Sequence, residues 1–163
     1  MKLNLSVRHI VAIVLLVLMV VLLFWPGVVG MEAMGRAETA SVSELRSETT
    51  KNIGDYFEYA KFIGFKATLM GILGILLNVA FFGMIAAAVL AIVMIVMNKG
   101  NAAAVIAMIL AILSVICCVV IMISTINTMK DSTGYSFGFV PGVSMFLLPI
   151  FSIAAVVLSK PEA

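Results

Sequence analysis

Four apolar runs, each uncharged through its interior, decide what this chain can become. They cover about residues 7–25, 65–97, 102–126 and 138–158, with only Arg8 and Lys66 charged, both at run edges. Each run approaches or exceeds the ~20 apolar residues needed to cross a ~30 Å hydrocarbon core. With 64% hydrophobic residues in a 163-residue chain, no soluble domain has a core large enough to hide them. A bilayer resolves the conflict. The expected fold is an all-α integral membrane protein: a single domain over residues 1–163, built as a four-transmembrane-helix bundle. A long first extracytoplasmic loop would fill about residues 26–60.

The second run constrains the packing most. Gly64, Ala67, Gly71, Gly74 and Asn78 follow one another at spacings of three and four, which places them on one helical face. The third run repeats the pattern at Ala104, Ala107, Ala111, Ser114 and Cys118. Small residues let helix backbones approach closely in lipid, where no hydrophobic drive pulls helices together. Both stripes are candidate packing faces, inside the bundle or toward another chain. Asn78, the most polar side chain at depth, reads as an interhelical hydrogen-bond former.

The second run is also too long for an upright span, since some 30 residues make about 45 Å of helix. Ile53, Tyr56, Phe57, Ala60 and Ile63 recur at helical spacing just before it, beside Asp55, Glu58 and Lys61. The second helix is therefore expected to project beyond the membrane, opening near Asn52 or Gly54. Ser41 and Glu44 have the spacing of a capping box, which allows a short helix through Leu45 and Arg46.

Residues 98–101, Asn-Lys-Gly-Asn, read as a tight turn making the second and third spans antiparallel neighbours. Tyr135, Phe137 and Phe139 alternate with Ser136 and Gly138, the period of a short extended piece. Pro141-Gly142 marks helical entry into the fourth span. Pro149, inside that span, reads as a tolerated kink.

Charge placement gives an orientation. Lys2 and Arg8 precede the first span, and Lys99 and Lys160 fall on the same side; Arg36, Arg46, Lys51, Lys61, Lys66 and Lys130 fall on the other. That count opposes the positive-inside tendency, but the first span usually dominates, and no cation follows it over residues 26–35. Trp25, Tyr56, Tyr59, Phe62, Tyr135 and Phe137, with Phe65, are expected to form an aromatic rim at the outer face. Both termini are thus expected in the cytoplasm, with the N-terminal run kept as a helix rather than removed as a signal peptide.

Chemistry is sparse. His9 is the single histidine, and Cys117 and Cys118 are adjacent within an apolar run, so a His/Cys metal site has little material. Loop acids Glu32, Glu38, Glu44, Glu48, Asp55 and Glu58 accompany no nucleophile or base at a meaningful spacing. Apart from Arg8 and Lys66 at the edges, no Asp, Glu, Lys or Arg lies within the spans, which argues against ion coupling. No cofactor is expected, and a net charge of +2 without a polybasic block gives no reason to expect nucleic acid.

The plan of four spans, cytoplasmic termini and a long first loop resembles that of claudins and other tetraspan proteins. The likeness is one of topology. The Trp and paired-Cys pattern of the claudin first loop is absent, as is the tetraspanin cysteine motif, and the one Asn-x-Ser sequon, at Asn4, falls on the cytoplasmic side. Short loops without cysteines or sequons suit a prokaryotic plasma membrane. The expected function is non-enzymatic: an accessory, assembly or interaction subunit acting through its first loop and small-residue faces. Its partners would be the lipid bilayer and another membrane protein or a second copy. The alternative is an oligomeric channel or small-solute exporter lined by Asn78, Ser114 and Ser152.

Overall fold

The computed structural model describes residues 5–161. Its elements run α1 (Val7–Leu22), β1 (Val29–Ala33), β2 (Arg36–Ala40), α2 (Val42–Ile63), α3 (Phe65–Val96), α4 (Ala102–Thr133), β3 (Gly138–Pro141) and α5 (Val143–Leu158). The chain is mostly helical, and α3 and α4 are long and apolar enough to cross a membrane. Helices α1 and α5, at 16 residues each, are apolar but shorter.

Two lengths organise the molecule. At ~1.5 Å per residue, α3 and α4 measure about 48 Å, whereas α1 and α5 measure about 24 Å. The long pair is joined by the expected turn, in which Asn98 (φ 54°) and Gly100 (φ 116°) take left-handed backbone. Helices α1 and α5 lie antiparallel at that basal end. Arg8 Nη2 donates to the Val157 carbonyl (3.3 Å), the His9 ring meets the Lys160 carbonyl (3.0 Å), and Asn101 Nδ2 donates to the Val156 carbonyl (3.2 Å). At its other end α1 reaches only halfway up α3, where the Phe24 and Phe81 rings meet edge to face at 5.6 Å. The basal bundle therefore holds α1, α5 and half of each long helix, around Leu16, Met19, Met84, Ile95 and Leu148.

Above that level lies a distal lobe, and here the structure corrects the all-α expectation. Residues 29–40 form a β-hairpin instead of plain loop, and β3 completes a three-stranded antiparallel sheet of order β2-β1-β3. Met34 (φ 53°) and Gly35 (φ 77°) make the two-residue turn, both with the positive φ that matches strand twist. The extended reading around Phe139 holds, but residues 138–141 are strand, so the fourth helix begins at Val143. Likewise α4 continues past residue 126 to Thr133, ending at Gly134 (φ 73°).

The second helix is not a single rod opening near Asn52 or Gly54. Helix α2 starts at Val42, where Ser41 Oγ accepts the Glu44 N–H (3.1 Å) and donates to the Glu44 carboxylate (3.3 Å). Gly64 (φ 83°) then breaks the chain, and α3 returns antiparallel along α2. The hairpin follows from amphipathicity: Val42, Leu45 and Thr49 are buried, while Glu44, Glu48, Lys51, Asp55 and Glu58 are exposed.

Candidate functional site

The junction between bundle and lobe is built on glycine. The chain leaves α1 through Trp25-Pro26-Gly27, and Gly142 crosses it on the way into α5. The Gly142 N–H donates to the Val28 carbonyl (2.9 Å), and Ser144 Oγ donates to the Pro26 carbonyl (2.8 Å). A Cβ at Gly142 would run into the Gly27 carbonyl oxygen, so the two backbones can meet only without side chains.

At the same level the first turns of α2 rest on α1 and α3. The Ser43 N–H donates to the Leu23 carbonyl (2.8 Å), which sets the height of α2. One turn on, Arg46 lies half-buried against α3 with its guanidinium 4.8 Å from the Phe81 ring centre and 5.0 Å from that of Phe82. Arg46 Nη1 donates to Asn78 Oδ1 (3.2 Å), while Asn78 Nδ2 donates to Thr50 Oγ1 and to the Gly74 carbonyl (both 2.8 Å). Arg46 Nε is buried without a hydrogen-bond partner. No ion pair reaches this guanidinium among the described residues; Glu48 pairs instead with Lys51 at 3.5 Å. The cation is thus held by two aromatic faces and a neutral amide.

Farther out, α2, α3 and α4 enclose a cavity of about 410 Å³. Phe65, Leu69, Met70 and Met129 give it apolar walls, with Tyr56, Ser124, Asn127 and Thr128 adding polar groups. Partial burial, then the Glu48 charge, raises the Tyr56 pKa, so its phenol stays a neutral donor at physiological pH. Among the described residues, no group of three or more His, Cys, Asp or Glu is placed to hold a metal.

The expected packing residues separate by partner. Gly71 and Gly74 face α2, where a Cβ would lie 2.8 Å from the Phe57 ring and 2.6 Å from Thr49 Cγ2 respectively. Asn78 also faces α2. Ala67 is buried, whereas Gly64 is the exposed turn between the helices and no part of a seam. Ala104, Ala107, Ala111, Ser114 and Cys118 are all buried along α4, with Ser114 Oγ donating to the Leu110 carbonyl (2.9 Å). Ser152 is buried too and donates to the Pro149 carbonyl (2.8 Å).

The aromatic residues do not share one level. Trp25 (74% exposed) flanks a groove with Leu18, Leu147 and Phe151 at the top of the bundle. Tyr56 lines the distal cavity, about 21 Å farther along α2 than Val42. Tyr135 (61% exposed) and the half-buried Phe137 lie between α4 and β3 in the chain. Tyr59 and Phe62 fall on α2, but their side chains are outside the described ones. Sequence reasoning passed over Arg46 as a site residue. The available signal was its place beside Leu45 and three residues before Thr49, at the edge of the apolar face.

No protein family, curated protein or solved structure matches this chain.

Proposed function

We propose that this protein is a non-enzymatic, four-span membrane protein that serves as an accessory or assembly subunit and offers its distal lobe to a partner. Helices α1 and α5 and the basal halves of α3 and α4 cross the bilayer in this reading. The termini lie in the cytoplasm. The lobe geometry supports that orientation by weakening the conflict in the charge count. Arg36 sits at the hairpin tip, Lys51 about 14 Å along α2, and Lys130 in the last turn of α4. These, with Lys61 and Lys66 beside the α2–α3 turn, lie farther from the proposed membrane surface than Arg46, and cations weigh on orientation mainly near a span end.

One observation carries the interaction role. The exposed apolar face of α3 does not stop where α1 stops. Ile72, Ile75, Leu76 and Val79 are exposed, and Ile72 lies about 14 Å beyond the Phe81 level. An apolar strip of that kind outside the hydrocarbon layer marks a surface that another protein covers. The small-residue faces, by contrast, are occupied within the chain, so the partner surface moves from them to this strip.

Photo-crosslinking in the native membrane tests the reading. A crosslinker at Leu76 is expected to trap a protein adduct, while one at Ile109, exposed on the basal half of α4, traps lipid. Lipid-sized adducts at both positions would remove the interaction role. Labelling of Arg36→Cys and Lys99→Cys from the same side of the membrane would remove the topology.

A further inference from the structure

We infer that Arg46 is a binding site for the phosphate of an anionic lipid headgroup at the outer membrane surface; this rests on the membrane placement proposed above. The cation has no anion of its own. Its neighbours on α2, Glu44 and Glu48, stand two residues away on either side, a spacing that points side chains to different helix faces. Each is also engaged elsewhere, Glu44 with Ser41 and Glu48 with Lys51. A half-buried guanidinium without a counter-charge is unfavourable, because desolvation is offset only by pairing.

The shape of the site selects the ligand. Arg46 Nε is buried and inward, and Nη1 spends one N–H on Asn78. The second Nη1 hydrogen and both on Nη2 form the fork that binds two phosphate oxygens in parallel. Below the fork lie the exposed rings of Phe24 and Phe82, continuous with the apolar strip that Val21 and Val17 present on α1. A charged fork above an apolar wall matches a phosphate attached to acyl chains. Asn78 and Thr50 act as positioning residues that hold the guanidinium against the rings.

Trp25, the single tryptophan, follows Phe24 in the chain but faces the neighbouring groove toward α5, so it reports on lipid at this level of the membrane. The full chain in phosphatidylcholine vesicles receives either brominated phosphatidylglycerol or brominated phosphatidylcholine, and quenching of Trp25 gives the relative affinity. The anionic lipid should be preferred about fivefold. Arg46→Gln should abolish the preference while leaving helix content and quenching by phosphatidylcholine intact, and Arg46→Lys should retain part of it. Equal quenching by both lipids in the wild type, or a preference that survives in Arg46→Gln, overturns the inference and leaves the membrane reading standing. Quenching by neither lipid overturns both. Excess inorganic phosphate separates the sources. If it erases the preference where chloride of equal ionic strength does not, free phosphate also occupies the site; if it has no effect, only the lipid phosphate does. Erasure by chloride alone reduces the effect to screening and overturns the inference.

Discussion

The two halves of α3 pack by different rules. Its basal half buries Met84, Ala87, Ala88 and Ala91 against apolar neighbours. Its distal half offers Gly71, Gly74 and Asn78 to α2, a helix whose opposite face is charged and exposed. The distal half carries Lys66, Thr68 and Asn78 where the basal half has no polar side chain, so the composition of α3 changes together with what each half meets. Where the surroundings are as apolar as the helix, close fit alone holds the elements together. On the proposed membrane placement the distal half stands in water, where an apolar helix needs an amphipathic cover, and α2 supplies it.

The largest predicted effect falls at the junction between the halves. Gly142→Ala drives a Cβ into the Gly27 carbonyl, and neither backbone can yield without breaking the Gly142 to Val28 hydrogen bond. A loss of about 3–4 kcal/mol is expected, read by unfolding in mixed detergent micelles. An unperturbed variant would mean that lobe and bundle are not locked at this crossing. Next in size is Ala107→Leu. Ala107 has no exposed surface, and three added carbons have no space to enter, so about 1–3 kcal/mol should be lost. That substitution loosens the bundle, so reactivity of the buried thiols Cys117 and Cys118 should rise with it.

How far this comparison could be foreseen follows from the physics of each half. The basal helices were legible because a run of uncharged apolar residues has few other fates, and residues 98–101 carry their own turn chemistry. The Ser41–Glu44 cap was legible for the same local reason. The distal lobe was not. Its hairpin turns on Met34-Gly35, and methionine at positive φ is no recognisable turn signal. Asn127, Thr128, Lys130 and Asp131 look like loop residues, yet α4 runs through them. Thr125, Thr128 and Thr133 return their hydroxyls to the carbonyls four residues earlier, at 2.8, 2.9 and 2.7 Å. Of the Gly64–Asn78 stripe, Gly71, Gly74 and Asn78 face one neighbour while Gly64 falls in the turn, and spacing alone names no occupant. The occupant is α2, whose apolar side includes a buried threonine, Thr49, that no hydropathy pattern would pick.

Asn78→Leu sharpens the contrast at intermediate size. It removes the amide that accepts from Arg46 and donates to Thr50, leaving both partners short, at a cost of about 1 kcal/mol. The effect should be local: amide exchange along α2 rises while α1 and α5 stay protected. Equal loosening of the bundle would show that the two halves of α3 are not separate packing units.

The smallest effect discriminates most finely, because one substitution should carry opposite signs in the two halves. Replacing a helical glycine by alanine removes backbone freedom and contributes roughly 0.5–1 kcal/mol where space allows. At Gly83, in the basal half, the added Cβ would meet only Leu110 Cδ1 at 3.0 Å, the tip of a side chain that can turn aside. Gly83→Ala should therefore be neutral or slightly stabilising. At Gly71, in the distal half, the same Cβ meets the flat ring of Phe57 with three carbons between 2.8 and 3.1 Å. To make room the ring, 40% exposed, must swing away from the α2–α3 seam and give up its contact with α3, so Gly71→Ala should destabilise despite its better helix propensity. Matched unfolding curves for the two variants test this directly. If they shift the same way, the distal seam is as compliant as the basal one, and close fit at Gly71 is not what seats α2.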